Sequence, residues 1–188
     1  MARKTSIELH PGQRKKEKRQ LFDRFAVRAV EVIYKEKFFA LFDNRCFKCG
    51  QPETYRPGAV GVKLLCIDHH VPMALGGHLV PGNLVSLCRA CNGRKLDQAP
   101  EAFYTPDELK RLAPVLERQH VLFDFRFDWD AWHDDPYGYL LGLGVESALV
   151  NALLHDENHP DFMGMPEQRA IFTIGLSDEL TALLRQKD

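Results

Sequence analysis

The sequence predicts an α+β fold, and two observations within residues 46–95 carry that prediction. Two short apolar runs, residues 62–69 and 84–87, are suited to strands, and the second leads directly into a stretch with few helix breakers, residues 89–98. Two Cys-x-x-Cys turns, Cys46-Phe47-Lys48-Cys49 and Cys88-Arg89-Ala90-Cys91, enclose those runs. Helical periodicity before residue 46 and after residue 100 adds an N-terminal helix and a mostly helical C-terminal extension.

The chain has 188 residues, 45% of them hydrophobic, which is enough for a buried core in one domain or a core with an extension. No apolar run reaches the roughly 18 uncharged residues of a membrane span, and the charged start lacks the apolar centre of a secretory signal. A soluble, intracellular, cytoplasmic protein is therefore expected. Five cysteines, four of them in x2-spaced pairs, suit metal binding in a reducing compartment better than a disulfide framework.

The formal net charge of −1 hides a strong polarity. Residues 1–99 carry 18 Lys and Arg against 9 Asp and Glu, whereas residues 100–188 carry 7 against 17. The basic half is the side expected to meet a polyanion. Residues 1–19 hold Arg3, Lys4, Arg14, Lys15, Lys16, Lys18 and Arg19 with little to bury, and read as a basic, flexible arm.

The second division, residues 20–99, opens with apolar positions Leu21, Phe22, Phe25, Ala29, Val30, Ile33, Phe38, Leu41 and Phe42 at helical spacing. They predict an amphipathic helix from Lys18 to Phe42 with a break near Tyr34. Residues 52–61 read as a loop, and Gly76-Gly77 and Pro81-Gly82 punctuate the return between the two strands. In the third division, residues 100–188, Thr105-Pro106-Asp107-Glu108 signals a capped helix to about Arg118. Residues 121–129 alternate apolar and polar with period two, which predicts one strand. Its acids, with Asp130, His133, Asp134 and Asp135, read as a strand edge and loop, with a further metal site, a partner surface or a guard against nonproductive DNA contact as the alternatives. Further helices are expected over 139–154, 167–174 and from Ser177 onward.

Four thiolates from Cys46, Cys49, Cys88 and Cys91 would fill the tetrahedral shell of a zinc ion, so that site is expected to be structural. Cys66, outside the pairs, reads as a small buried hydrophobe. A second centre needs hard ligands and a base. Asp68 offers a carboxylate and Asn92 an amide oxygen to Mg²⁺ or Mn²⁺, and His69 can take a proton from water near neutral pH. Arg89, Arg94 and Lys95, on the helix beside this centre, are candidate phosphate contacts.

Asp68-His69-His70-Val71-Pro72, Gly76-Gly77, Asn83-Leu84 and Cys88-Arg89-Ala90-Cys91-Asn92, in that order, resemble the HNH endonuclease family and its ββα-metal core. The resemblance spans residues 46–95. It implies that Asp68 and Asn92 hold the catalytic cation, that His69 is the general base and that Asn83 orients it. Many members carry His where Asn92 stands. His70 departs from the family, which usually has Ile or Val there, and opens a shifted register with His70 as the base; Pro72, three residues after His69, favours His69. The implied activity is metal-dependent hydrolysis of phosphodiester bonds in DNA. A double-strand break would then take a homodimer or two successive nicks. The alternatives are a noncatalytic zinc-stabilised nucleic-acid-binding module and, further off, a zinc-bound protein-interaction domain.

Overall fold

The computed structural model describes residues 21–54, 63–159 and 162–164. The basic arm, most of the 52–61 loop and the two helices expected after residue 166 lie outside the described residues. Two compact units emerge: of the described residues, those within 21–26 and 31–126 belong to one and those within 27–30 and 127–164 to the other. Within the described residues no helix is long and apolar enough to cross a membrane.

Helix α1 runs over Arg28–Ala40, belonging to the first unit from residue 31 on. The break in the N-terminal helical pattern falls before it and not at Tyr34. Phe25 N and Ala26 N bond back to Phe22 and Asp23, and Ala26 takes φ 58°, a left-handed conformation that no helix propagates. Tyr34 is helical, and its ring stacks on Phe25 at 4.6 Å and contacts Phe125 at 4.7 Å. Buried Phe25, Phe38 and Phe42 make the apolar stripe core.

Strands β1 (Leu65–His69) and β2 (Leu84–Cys88) form an antiparallel hairpin, with Asp68 opposite Val85 and His69 opposite Leu84. Every residue of β2 is buried, whereas four of the five in β1 are only partly so. Helix α2 (Arg89–Lys95) follows without a gap and packs on both strands. The strand, loop, strand, helix order read from the sequence is therefore present, with an N-terminal helix before it and helices after it.

Short α3 (Pro100–Phe103) leads to α4 (Pro106–Leu122). The capping box forms as the sequence indicated: Glu108 N bonds Thr105 Oγ1, and the Glu108 side chain accepts from Thr105 N. The helix runs on to Leu122, with Pro114 accommodated inside it. Here the expected strand over 121–129 is overturned. Residues 121 and 122 are helical, and 124–128 have no partner strand among the described residues. The burial alternation itself survives: Phe123 and Phe127 are buried while Asp124, Arg126 and Asp128 are exposed. Period-two burial needs only an inward and an outward side, whereas a strand also needs a ladder.

In the second unit, α5 (Trp129–Asp134), α6 (Pro136–Gly142) and α7 (Ser147–His155) pack in succession around Trp132, Leu140, Val150 and Leu154. The single helix expected over 139–154 is divided at Gly144, whose φ of 89° favours glycine. Two of the acids in this region are caps: Asp128 accepts from Ala131 N and Asp135 from Gly138 N. A Cβ at Gly138 would lie 2.1 Å from Asp135 Oδ2, so a larger residue there would displace the capping carboxylate.

Helix α4 is joined to the hairpin by Gln119, a fully buried amide that sequence reading passed over. Its Nε2 donates to Leu84 O at 2.7 Å, and its Oε1 accepts from Leu84 N at 3.2 Å and Gly82 N at 3.0 Å. One side chain thus substitutes for a neighbouring strand at the entrance to β2. Gln119→Leu retains the volume and strands these groups, so it should cost about 3 kcal/mol and lower Tm by about 6–12 °C in a thermal melt; a Tm within a degree of wild type would refute this role.

Candidate metal centre and catalytic groove

The first Cys-x-x-Cys turn is closed by Cys46 N to Gln51 O and Gly50 N to Cys46 O, both 2.8 Å, with Gly50 at φ 73°. Phe47 N donates to Ser86 O at 2.8 Å and Ser86 Oγ to Arg45 O at 3.0 Å, which ties the turn to the middle of β2. At its tip Lys48 bonds Phe103 O and pairs with Glu108, anchoring it to the start of α4. The second turn is the β2–α2 junction itself: Cys88 is the N-cap of α2, and Cys91 N lies 3.4 Å from its sulfur.

These anchors bring the sulfurs of Cys46, Cys49, Cys88 and Cys91 within 4.8 Å of one another. Among the described residues they are the His, Cys, Asp or Glu group arranged to hold a metal ion. All four are free cysteines. Cys49 Sγ and Cys88 Sγ are 3.8 Å apart, and a tetrahedral ion with bonds of about 2.3 Å sets its sulfurs about 3.8 Å apart. A structural metal such as zinc therefore fits this donor set. Burial raises the Cys46 thiol and pushes Cys91 up to about 12, while the Gln51 backbone N–H lowers Cys49. Thiolates at the buried positions thus need a cation, and Arg94 supplies one partial counter-charge at 2.9 Å from Cys91 Sγ. Arg94, a candidate phosphate contact from sequence, here faces the sulfur cluster.

The hairpin and α2 enclose a groove of about 700 Å³ lined by Asp68, His69, Asn92 and Lys95, with Arg89 and Met73 among its other walls. His69 Nδ1 lies 3.9 Å from Asp68 Oδ1, and its side chain is 16% exposed. His70 does not line the groove. It packs its ring 5.7 Å from Tyr104, where burial and then the charge of Lys95 lower its pKa. His69, the last residue of β1, therefore lines the groove, and His70, just past the strand end, lies on the Tyr104 side.

Asn92 faces Asp68 across the groove. With its amide nitrogen turned inward it donates to Asp68 Oδ1 at 3.3 Å and Oδ2 at 3.2 Å. With its oxygen inward the same separations bring three oxygens together, which is favourable only around a cation. Asp68 and Asn92 thus fit a hard divalent ion. Arg89 is exposed at the rim, its Nε donating to Lys63 O at 3.1 Å. Lys95 departs from the surface role read for it: it is 1% exposed and bonds Asp68 Oδ2 at 3.0 Å and His69 O at 2.6 Å. Its position three residues after Asn92 was the available signal, since both then share a helix face.

Asn83 works through the backbone. Its Oδ1 accepts from Val71 N at 2.7 Å, and its Nδ2 donates to Val71 O at 3.0 Å and His78 O at 2.8 Å. With His70 N bonded to Asn83 O at 2.8 Å, the chain immediately after His69 is clamped to the start of β2. Gly77 permits this closure, because a Cβ there would lie 1.8 Å from Val71 O. Cys66 donates its thiol to Leu87 O at 3.1 Å and lines the groove.

Residues 61–106 match a family model described as HNH endonuclease. The match takes in both strands, α2, α3 and the second cysteine turn, and leaves Cys46 and Cys49 outside it. No curated protein and no solved structure matches the chain.

Cys49 is the exposed member of the cluster, so its removal forfeits little packing and reports on the metal. Elemental analysis should find one zinc per chain in the wild type. Cys49→Ala should fall below that stoichiometry and lose about 10 °C in Tm; unchanged metal content and Tm would refute a metal role for the cluster.

Proposed function

With residues 61–106 carrying the HNH endonuclease pattern, we propose that this protein is a metal-dependent endonuclease that hydrolyses phosphodiester bonds in DNA. The observation that carries the reading is the convergence of Asp68, Asn92 and His69 in one groove, with Asn92 on the helix that begins at the cysteine cluster. A binding module needs none of those three side chains. Asp68 and Asn92 hold the catalytic divalent ion, Mg²⁺ or Mn²⁺, which when bound supplies Lewis-acid stabilisation of charge on the phosphate.

His69 is the general base. Its ring lines the groove with Nδ1 3.9 Å from Asp68 Oδ1, where it can take the proton from an attacking water. Asn83 is a positioning residue, fixing the backbone that follows His69. Arg89 at the rim is the phosphate contact best placed to orient the strand, whereas Arg94 serves the sulfur cluster. The excess of Lys and Arg over residues 1–99 supplies sequence-blind attraction to the backbone, and the acidic second half disfavours contact there. A single site of this kind cuts one strand, so the primary product is a nick.

Supercoiled plasmid incubated with Mg²⁺ or Mn²⁺ tests this directly. Wild type should convert it to the relaxed form, and His69→Ala should nick about 10²–10⁴-fold more slowly while binding DNA equally well. Equal nicking by the variant would overturn His69 as the base. Retention of DNA without any cleavage by zinc-loaded wild type would overturn the enzyme in favour of the noncatalytic module.

A further inference from the structure

Lys95 is among the largest fully buried side chains of the protein, yet the hydrolytic reading above gives it no part. Its ammonium is placed where few buried amines find partners: on the carboxylate of Asp68 and on the backbone carbonyl of His69. Asn92, three residues earlier on α2, reaches the same carboxylate. One helix face thus sends two side chains to Asp68, one an amide and one a cation.

The carboxylate has two oxygens and they are not equivalent. Oδ2 accepts the ammonium at 3.0 Å; Oδ1 lies on the His69 side, 3.9 Å from Nδ1. The Asn92 amide nitrogen can donate to this carboxylate but brings no net charge, and a partly buried carboxylate is unfavourable when no counter-charge is near. The ammonium supplies that charge whether or not a divalent ion is present. It also lies close enough to repel such an ion by Coulomb's law in a poorly screened site.

We propose that Lys95 is the resident counter-charge of the Asp68 site: it keeps the empty site folded and lowers the affinity for the divalent ion. The inference rests on the reading of Asp68 and Asn92 as ligands. Lys95 is a positioning residue, acting through Asp68 Oδ2 and the His69 carbonyl and leaving Oδ1 to the groove. Occupancy of the site by Mg²⁺ or Mn²⁺ is accordingly reversible, unlike that of the four-thiolate site.

Mn²⁺ titration of the full, zinc-loaded chain, followed by electron paramagnetic resonance without DNA, reads this without reference to turnover. Lys95→Met should bind Mn²⁺ tighter, on the order of tenfold, because a neighbouring positive charge is gone. Its Tm without Mn²⁺ should fall, and added Mn²⁺ should raise that Tm by more than it raises wild type. Lys95→Arg, which keeps the charge, should stay within about twofold of wild-type affinity. Should Lys95→Met not fold, Asp68→Asn decides: stranding the buried ammonium should lower Tm in buffer without added divalent ion, and an unchanged or raised Tm overturns the proposal. Mn²⁺ binding by Lys95→Met equal to or weaker than wild type overturns it while the ligand assignment stands. Wild type that binds no Mn²⁺ overturns both.

Discussion

Four sulfur atoms from two distant turns meet within 4.8 Å, and the first unit is organised by that convergence. The hairpin has only two strands, which is marginal alone in water. Its stability comes from what covers and pins it: the first cysteine turn on the middle of β2, α2 on both strands, and Gln119 of α4 along the entrance of β2. The sulfur cluster fixes the β2–α2 junction, and Asn92 is the residue immediately after one of its members. A shift of the junction would move Asn92 off Asp68. The frame and the groove are therefore two sites coupled by one residue of chain.

Around that junction three polar side chains each meet more than one partner. Asn83 closes the loop that leaves β1, Gln119 closes the edge where β2 begins, and Lys95 closes the carboxylate at the base of the groove. Each is an amide or amine used against backbone or a single carboxylate, so each fixes position more than it adds apolar burial. An aromatic run continues the support outward, from Phe42 to Phe47 at 6.2 Å, Phe47 to Tyr104 at 5.8 Å and Tyr104 to His70 at 5.7 Å. His70 ends that run as a packing residue and leaves the groove to its neighbour.

The hairpin, α2 and the cysteine cluster were legible in the sequence because each rests on short-range spacing: Cys-x-x-Cys, a strand leading directly into a helix, and Asn92 adjoining Cys91. The capping box of α4 was legible for the same reason. Residues 121–129 misled because alternating burial is shared by strands and by loops laid along a core. The break at Ala26 was missed because it depends on one positive φ at a residue that otherwise favours helix. Gln119 and Lys95 were hidden for a different reason. Both are ordinary surface residue types whose burial is decided by partners 35 and 27 residues away.

The proposed chemistry requires that Asp68 and Asn92 share a cation that His69 faces. Anomalous scattering from crystals of the zinc-loaded protein soaked in Mn²⁺ measures this most directly. A manganese peak bounded by Asp68 and Asn92, with the His69 ring toward it and a separate zinc peak among the four sulfurs, is the predicted result. Manganese bound elsewhere, or against His70, would contradict it.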